Sequence, residues 1–171
     1  MTKKFLILRS NLILHRFMIE IIKVTHHSEI EIARSLFLEY ANSLSFNLCF
    51  QNFDHEINNL HHEYQKPDGV IFFIYYNNLP AGCVALRRFD SESWEMKRLH
   101  VKPDFRGFKL GKFLVEKLIE EARHRKYRFM KLDTINSMFE AIGLYESLGF
   151  KRVDPYRFNP IDGAIYFELE L

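Results

Sequence analysis

The feature that most restricts the fold of this chain is a helix-period stripe set between two strand-like runs. From Leu110 onward, Leu114, Leu118 and Ala122, flanked by Phe113, Val115 and Ile119, mark one broad apolar face over about four helical turns. Ser93 to Val101 precedes it and Arg128 to Thr134 follows it, each patterned as a strand. A strand–helix–strand unit of this kind is a crossover, so the two strands run parallel in one sheet. Upstream, Val70 to Tyr76, the turn Asn77-Asn-Leu-Pro80 and Ala81 to Arg88 read as a hairpin, and Phe89-Asp-Ser-Glu-Ser93 links it to the Ser93 strand. An antiparallel front joined to a crossover unit predicts an α/β (α+β) fold. Its central sheet is mixed, twisted and mostly antiparallel, with helices on both faces.

The flanks complete the order. Ile19 to Val24 is a strand, and Ser28 with Glu31 forms a capping box for a helix carrying Ile32, Leu36, Phe37 and Tyr40. Phe53 to Tyr64 reads as a second helix, ended by Lys66-Pro-Asp-Gly69. Asn136 to Leu148 is a helix closed by Gly149, and Phe150 to Val153 and Ala164 to Leu171 are the last strands. The expected organisation is one domain over residues 18–171, preceded by an N-terminal extension, residues 1–17, of undetermined structure. In that extension Arg9 interrupts the apolar run and no small-residue cleavage site follows, unlike a signal peptide. No apolar run approaches the roughly 20 residues that span a bilayer.

A net charge of +2 is too mild to imply a polyanionic partner, so local charge has to carry that argument. The local concentration is the turn Arg106, Gly107, Phe108, Lys109, Leu110, Gly111, Lys112 at the start of the long helix. Unpaired N–H groups, the positive end of the helix dipole and three long cations there make a phosphate cradle. It is not a P-loop, because three residues separate Gly107 from Gly111 and Phe113 follows Lys112. It also lacks the third glycine of a dinucleotide fingerprint. The turn resembles the acyl-CoA loop of the GCN5-related N-acetyltransferases, the GNAT superfamily, with the signature Arg/Gln-x-x-Gly-x-Gly/Ala. Arg106 and Gly111 match the outer positions, and Lys109 stands where the middle glycine is usual. A second marker, Ala141-Ile-Gly-Leu-Tyr-Glu-Ser-Leu-Gly-Phe150, is similar to the family's Ala-x-x-Leu-Tyr-x-x-x-Gly-Phe stretch. The resemblance covers residues 19–171 and includes the order of elements.

That resemblance implies a splayed parallel strand pair and a set of roles. Main-chain groups of Leu99, His100 and Val101 would pair with the pantetheine arm, and the Leu99 amide would act as oxyanion donor. Residues 106 to 112, Ser137, Ala141 and Tyr145 would complete the cofactor site; Met138 replaces an asparagine that many relatives use there. Glu95 matches a general-base glutamate, with His100 as a rival that strand alternation puts on the opposite face unless a bulge intervenes. Tyr145 matches a tyrosine that protonates the departing thiolate. The bland readings are a solvated basic helix start for the loop, a surface ion pair for Glu95, and an aromatic core for Tyr145.

The expected activity is acetyl-CoA-dependent N-acetylation of a small-molecule or amino-acid-like primary amine, by direct attack in a ternary complex. Phe46 to Phe53 and Pro155 to Pro160 would wall the acceptor, with Arg157 meeting an anionic group. Acetyl-CoA is a co-substrate; no metal is expected, since His26-His27 and His61-His62 lack carboxylate or cysteine at ligand spacing. Partners are the amine acceptor and, as an option, a second copy in a homodimer; nucleic acid and membrane are not expected. Cys49 and Cys83, far apart in the chain, fit a reducing, cytoplasmic setting. Two other readings stay open: a non-catalytic acyl-CoA sensor, and a modifier of a protein N-terminus or aminoacyl-tRNA.

Overall fold

In the computed structural model, which describes residues 17–64 and 67–171, the strand-like runs join one seven-stranded sheet. β1 (Ile19–Lys23) leads to α1 (His27–Asn42), then α2 (Phe53–Asn58) and α3 (Leu60–Glu63). β2 (Gly69–Tyr76), β3 (Leu79–Arg88) and β4 (Ser93–Val101) follow, then α4 (Leu110–His124), β5 (Phe129–Ile135), α5 (Phe139–Ser147), β6 (Lys151–Val153) and β7 (Ala164–Glu170). The strand order is β1-β2-β3-β4-β5-β7-β6. β4 and β5 are the parallel pair that the crossover demanded; the other pairings are antiparallel. The N-terminal extension expected over residues 1–17 lies, except for Phe17, outside the described residues.

Alternation divides the core into two layers. Phe72, Ile74, Leu86, Trp94 and Met96 face α4 and α5 together with Leu114, Leu118 and Tyr145. Ile71, Phe73, Cys83 and Ala85 face the helices before β2, against Ala33, Leu36, Phe37 and Leu60. Each layer buries several large side chains at roughly 1.5–3 kcal/mol apiece, so the sheet is held from both sides.

Three local expectations shift for local reasons. The first helix begins earlier than the Ser28–Glu31 box implies: Glu29 reaches back to the His26 N–H at 2.9 Å and to the Thr25 N–H at 2.6 Å, so it takes the box role. The helix expected over 53–64 is broken at Asn59, and the one expected from Asn136 starts at Phe139, with Asn136 donating its N–H to the Gly163 carbonyl. Gly149, at φ +89°, ends α5 with its N–H on Glu146 and that of Phe150 on Tyr145, a Schellman closure.

One irregularity matters for function. Cys83 pairs with His100 and Ala85 with Lys97, so two steps of β3 span three of β4. Arg98 takes up the extra residue with φ +59°.

Candidate active site

β4 and β5 stay in register only where Ser93, Trp94 and Glu95 meet Phe129, Met130 and Lys131. Beyond that the strands part and leave a cleft of about 670 Å³, counting its open mouth. Met96 to Leu99 line one side and Leu132 to Ile135 the other; Met138, Ala141 and Tyr145 close it from α5, and Phe46, Leu48, Phe50, Gln51 and Asn159 from the loops. Lys102 donates its N–H to Ala81 across β3. In an antiparallel ladder every second residue faces the same neighbour, so His100 shares that direction while main-chain groups of Leu99 and Val101 face the opening.

Beside the end of β4 stands the start of α4, where a Cβ at Gly111 would lie 3.7 Å from the Val101 side chain. Gly107 has φ +85° and Lys109 φ +60°, and the chain turns through them into the helix. Among the described residues the N–H groups of Gly107 to Lys112 have no carbonyl partner, as expected for a first turn. A side chain at Gly107 would meet nothing within 4 Å, so the approach is open, and Arg106, Lys109 and Lys112 are not buried. Glu116 sits 3.8 Å from Lys112. The cradle therefore fits a pyrophosphate: free amides, a dipole end and exposed cations on one turn.

The bulge rearranges the side chains of β4. Trp94, Met96, Leu99 and Val101 belong to the α4 layer, whereas Glu95, Lys97, Arg98 and His100 share the other face. His100 thus lies on the same side as Glu95, contrary to simple alternation. It is buried beside Tyr40, and burial first, then Arg106 and Lys102, pull its pKa below the usual imidazole range. It does not line the cleft.

Glu95 is 1% exposed and is not part of the cleft wall either. Its carboxylate lies 2.7 Å from Arg157, 3.5 Å from Arg87 and 3.6 Å from Lys97, yet among the described residues neither oxygen meets a donor at a hydrogen-bonding angle. Arg157 also binds Asp133 at 2.7 Å, and Asn159 holds the other Asp133 oxygen at 2.7 Å. Arg157 is therefore occupied by two internal carboxylates rather than free for an anionic acceptor. Tyr145 is buried, its ring in the α4 layer and its residue on the cleft wall; burial pushes its hydroxyl well above the usual phenol range, so it keeps its proton at neutral pH.

A family model of the acetyltransferase (GNAT) family matches residues 34–150. The chain belongs to the GNAT acetyltransferase family. It is 39% identical over 140 residues to an uncharacterized N-acetyltransferase of Schizosaccharomyces pombe, covering 81% of this chain and 86% of that one. Among solved structures it is similar to an acetyltransferase from Streptococcus agalactiae, with a TM-score of 0.73 at 23% identity over 90% of this chain and 98% of that one. A GNAT acetyltransferase from Elizabethkingia anophelis with acetyl-CoA bound superposes with a TM-score of 0.66, also at 23% identity, over 90% and 98% of the two chains. The chain is thus an acyltransferase with the GNAT fold.

Leu99, Ala141 and Tyr145 line the cleft, while Arg106 to Lys112 form a basic turn just past the end of β4 and do not themselves line it. Ser137 does not line it: Ser137 is exposed, Asn136 packs over Gly163, and Met138 takes the wall position with its sulfur 3.4 Å from the Thr134 hydroxyl. Gln51 and Asn159, from the segments 46–53 and 155–160 expected to wall the acceptor, line the cleft; Lys97 and Asp133 line it too and were not singled out from the sequence. Neither was Glu56, which is 2% exposed and binds Arg98 and Tyr64. Burial alone would raise its pKa, but the hydrogen bonds and charge of Arg98 and the Tyr64 hydroxyl outweigh it and hold the carboxyl below its usual range. A lone glutamate on the inward side of a short helix was the available signal.

Proposed function

We propose that this protein transfers the acetyl group of acetyl-CoA to the primary amine of a small-molecule or amino-acid-like acceptor in the cytoplasm. The observation that supports this is the opening between β4 and β5, lined by Leu99, together with the unpaired amides of residues 107 to 112 on the turn that follows β4. When bound there, acetyl-CoA supplies a thioester whose carbonyl carbon accepts the amine. Gly107 to Lys112 hold the pyrophosphate through main-chain N–H groups, with Arg106, Lys109 and Lys112 adding charge. The Leu99 N–H takes the developing oxyanion, a role in which one donor is typically worth 10²–10³ in kcat. Tyr145 gives its proton to the departing thiolate. Removal of the acceptor's proton falls to the Glu95–Lys97 pair of β4.

The acceptor enters from the side of Phe46, Leu48, Phe50 and Gln51, with Asn159 opposite. This rim is apolar with one amide on each side, which suits a compact amine better than a long polyamine. The test is thiol release from acetyl-CoA against a panel of amines, amino acids and short peptides, beside a CoA-binding titration. Turnover with small amines or amino acids supports the reading. Tight binding with no turnover on any acceptor would favour a sensor, and turnover confined to peptides or aminoacyl-tRNA would move the acceptor class.

A further inference from the structure

The groups able to accept a proton inside the cleft are few. Asp133 has one oxygen on Arg157 and the other on Asn159. Arg98 has no lone pair and is tied to Glu56. Tyr40 and Tyr145 keep their protons, since burial raises both. His100 and Glu95 do not reach the cleft wall. Lys97 does: it is 5% exposed, and its Nζ donates to Gln51 Oε1 at 2.9 Å while lying 3.6 Å from Glu95 Oε2. Ordinary alternation along β4 puts it on the face shared with Glu95, two residues before Leu99 and just ahead of the bulge at Arg98.

We propose that Lys97, as the neutral amine, is the base that deprotonates the acceptor, and that Glu95 is a positioning residue acting through it. This rests on the acetyl-transfer reading above. The acceptor ammonium gives one proton to Lys97 Nζ, and the freed amine attacks the thioester carbonyl. As the C–N bond forms and the C–S bond breaks, the nitrogen's second proton goes to the sulfur by way of Tyr145. Lys97 holds the one net proton released until it passes to water. The newly charged Lys97 then has a partner ready, because Glu95 Oε2 is buried 3.6 Å away and, among the described residues, accepts no hydrogen bond.

The surroundings suit this role. Burial is the largest influence on Lys97, Glu95 opposes it, and Arg98, Arg157 and Arg87 reinforce it, bringing the ammonium pKa down to about 7. Gln51 from the turn is neutral, and Asp133 across the cleft is already paired. A primary ammonium of pKa about 10 is then roughly three powers of ten uphill from its base, against about six for an ordinary carboxylate. Lys97 is the better-matched acceptor.

The test is the pH dependence of kcat/KM in the thiol-release assay, for the wild type, Lys97→Gln, Lys97→Arg and Glu95→Gln, each checked for acetyl-CoA binding and cooperative unfolding. Lys97→Gln and Lys97→Arg are expected to bind acetyl-CoA and to lose at least about 100-fold in kcat/KM together with the ascending limb near pH 7. Arginine keeps the charge but cannot give up its proton, so its failure separates a base from a mere cation. Glu95→Gln is expected to keep the limb and move it to lower pH, because the one group that raises the Lys97 pKa is gone. Loss of the limb in Glu95→Gln with its retention in Lys97→Gln would make Glu95 the base and overturn the proposal. Activity retained by Lys97→Arg, or by wild type found acetylated on Lys97 by mass spectrometry, would overturn it as well. A wild type that turns over no acceptor would sink the transfer reading and this one together, whereas an active wild type with unchanged Lys97 variants would sink this one alone.

Discussion

Arg98, at the bulge of β4, and Glu56, forty-two residues earlier on α2, form a buried ion pair that fastens the strand to the helix layer. Arg98 stands over the ring of Phe53 at 5.0 Å, Tyr64 donates to Glu56 at 2.7 Å, and Gln51 accepts from Arg98 at 2.9 Å. The strand that carries Lys97 and Leu99 is thus pinned from one side while its other edge stays open.

Removing one partner leaves a buried charge uncompensated. Glu56→Gln is expected to destabilise the fold by about 3–5 kcal/mol, whereas replacing both Glu56 and Arg98 with apolar residues should cost less than the single change. Urea denaturation checks both, and equal losses for the single and double variants would refute the account. The pair also has a pH signature. Because the folded Glu56 pKa is depressed, its contribution is present above the unfolded value, near 4.5, and is lost as pH falls through the lower folded value. Wild type should therefore lose stability more steeply than Glu56→Gln below about pH 4.5.

Lys109 occupies the left-handed region at φ +60°, where its Cβ is strained by roughly 1–2 kcal/mol. Lys109→Gly should relieve part of that and raise Tm by about 2–4 °C. Lys109→Ala keeps the strain and removes only the cation, so its KM for acetyl-CoA should rise and the salt dependence of binding should flatten. A Tm unchanged in Lys109→Gly would mean the strain is balanced by contacts of the lysine itself.

Gly82 lies where β3 passes the end of β4: a Cβ there would come within 2.4 Å of the His100 carbonyl oxygen and 3.2 Å of Val101 Cα. Both are main chain, so they move only by shifting the strand that lines the opening. Gly82→Ala is expected to cost on the order of 2–3 kcal/mol and to weaken acetyl-CoA binding together with it. At Gly111 the nearest atoms are side chains at 3.6 and 3.7 Å, ordinary contact distances, so Gly111→Ala should fold normally. Thermal denaturation with and without acetyl-CoA distinguishes the two.

The Tyr145 ring packs against Phe150 and Phe167, and its residue lines the cleft. Tyr145→Phe keeps the packing, so stability should stay within about 0.5 kcal/mol. The expected change is a fall in kcat of about 10- to 100-fold with KM for acetyl-CoA little altered. An unaltered kcat would leave thiolate protonation to water.

Legibility followed the range of the forces involved. The amphipathic period of α4, the Gly149 closure of α5 and the cluster of amides at residues 107 to 112 depend on groups within one or two turns of each other, and the sequence carried them intact. The capping box lay in plain view but two acids competed for it, and Glu29 rather than Glu31 fell at the right distance from the turn. Near-symmetric local choices of this kind are settled by a residue or two of phase.

The order of elements, the parallel crossover and the turn of unpaired amides before α4 were legible in the chain, because periodicity and turn chemistry are local. The faces at the end of β4 depended on the tertiary structure, where one extra residue at Arg98 reversed the alternation and turned His100 to the side of Glu95 and Lys97. The tertiary structure alone decided that Arg157 is occupied by Glu95 and Asp133, and that Glu56 answers Arg98. The physical reason is that a buried charge is neutralised by whatever the sheet order brings within a few ångströms, and no local pattern in the chain encodes that neighbour.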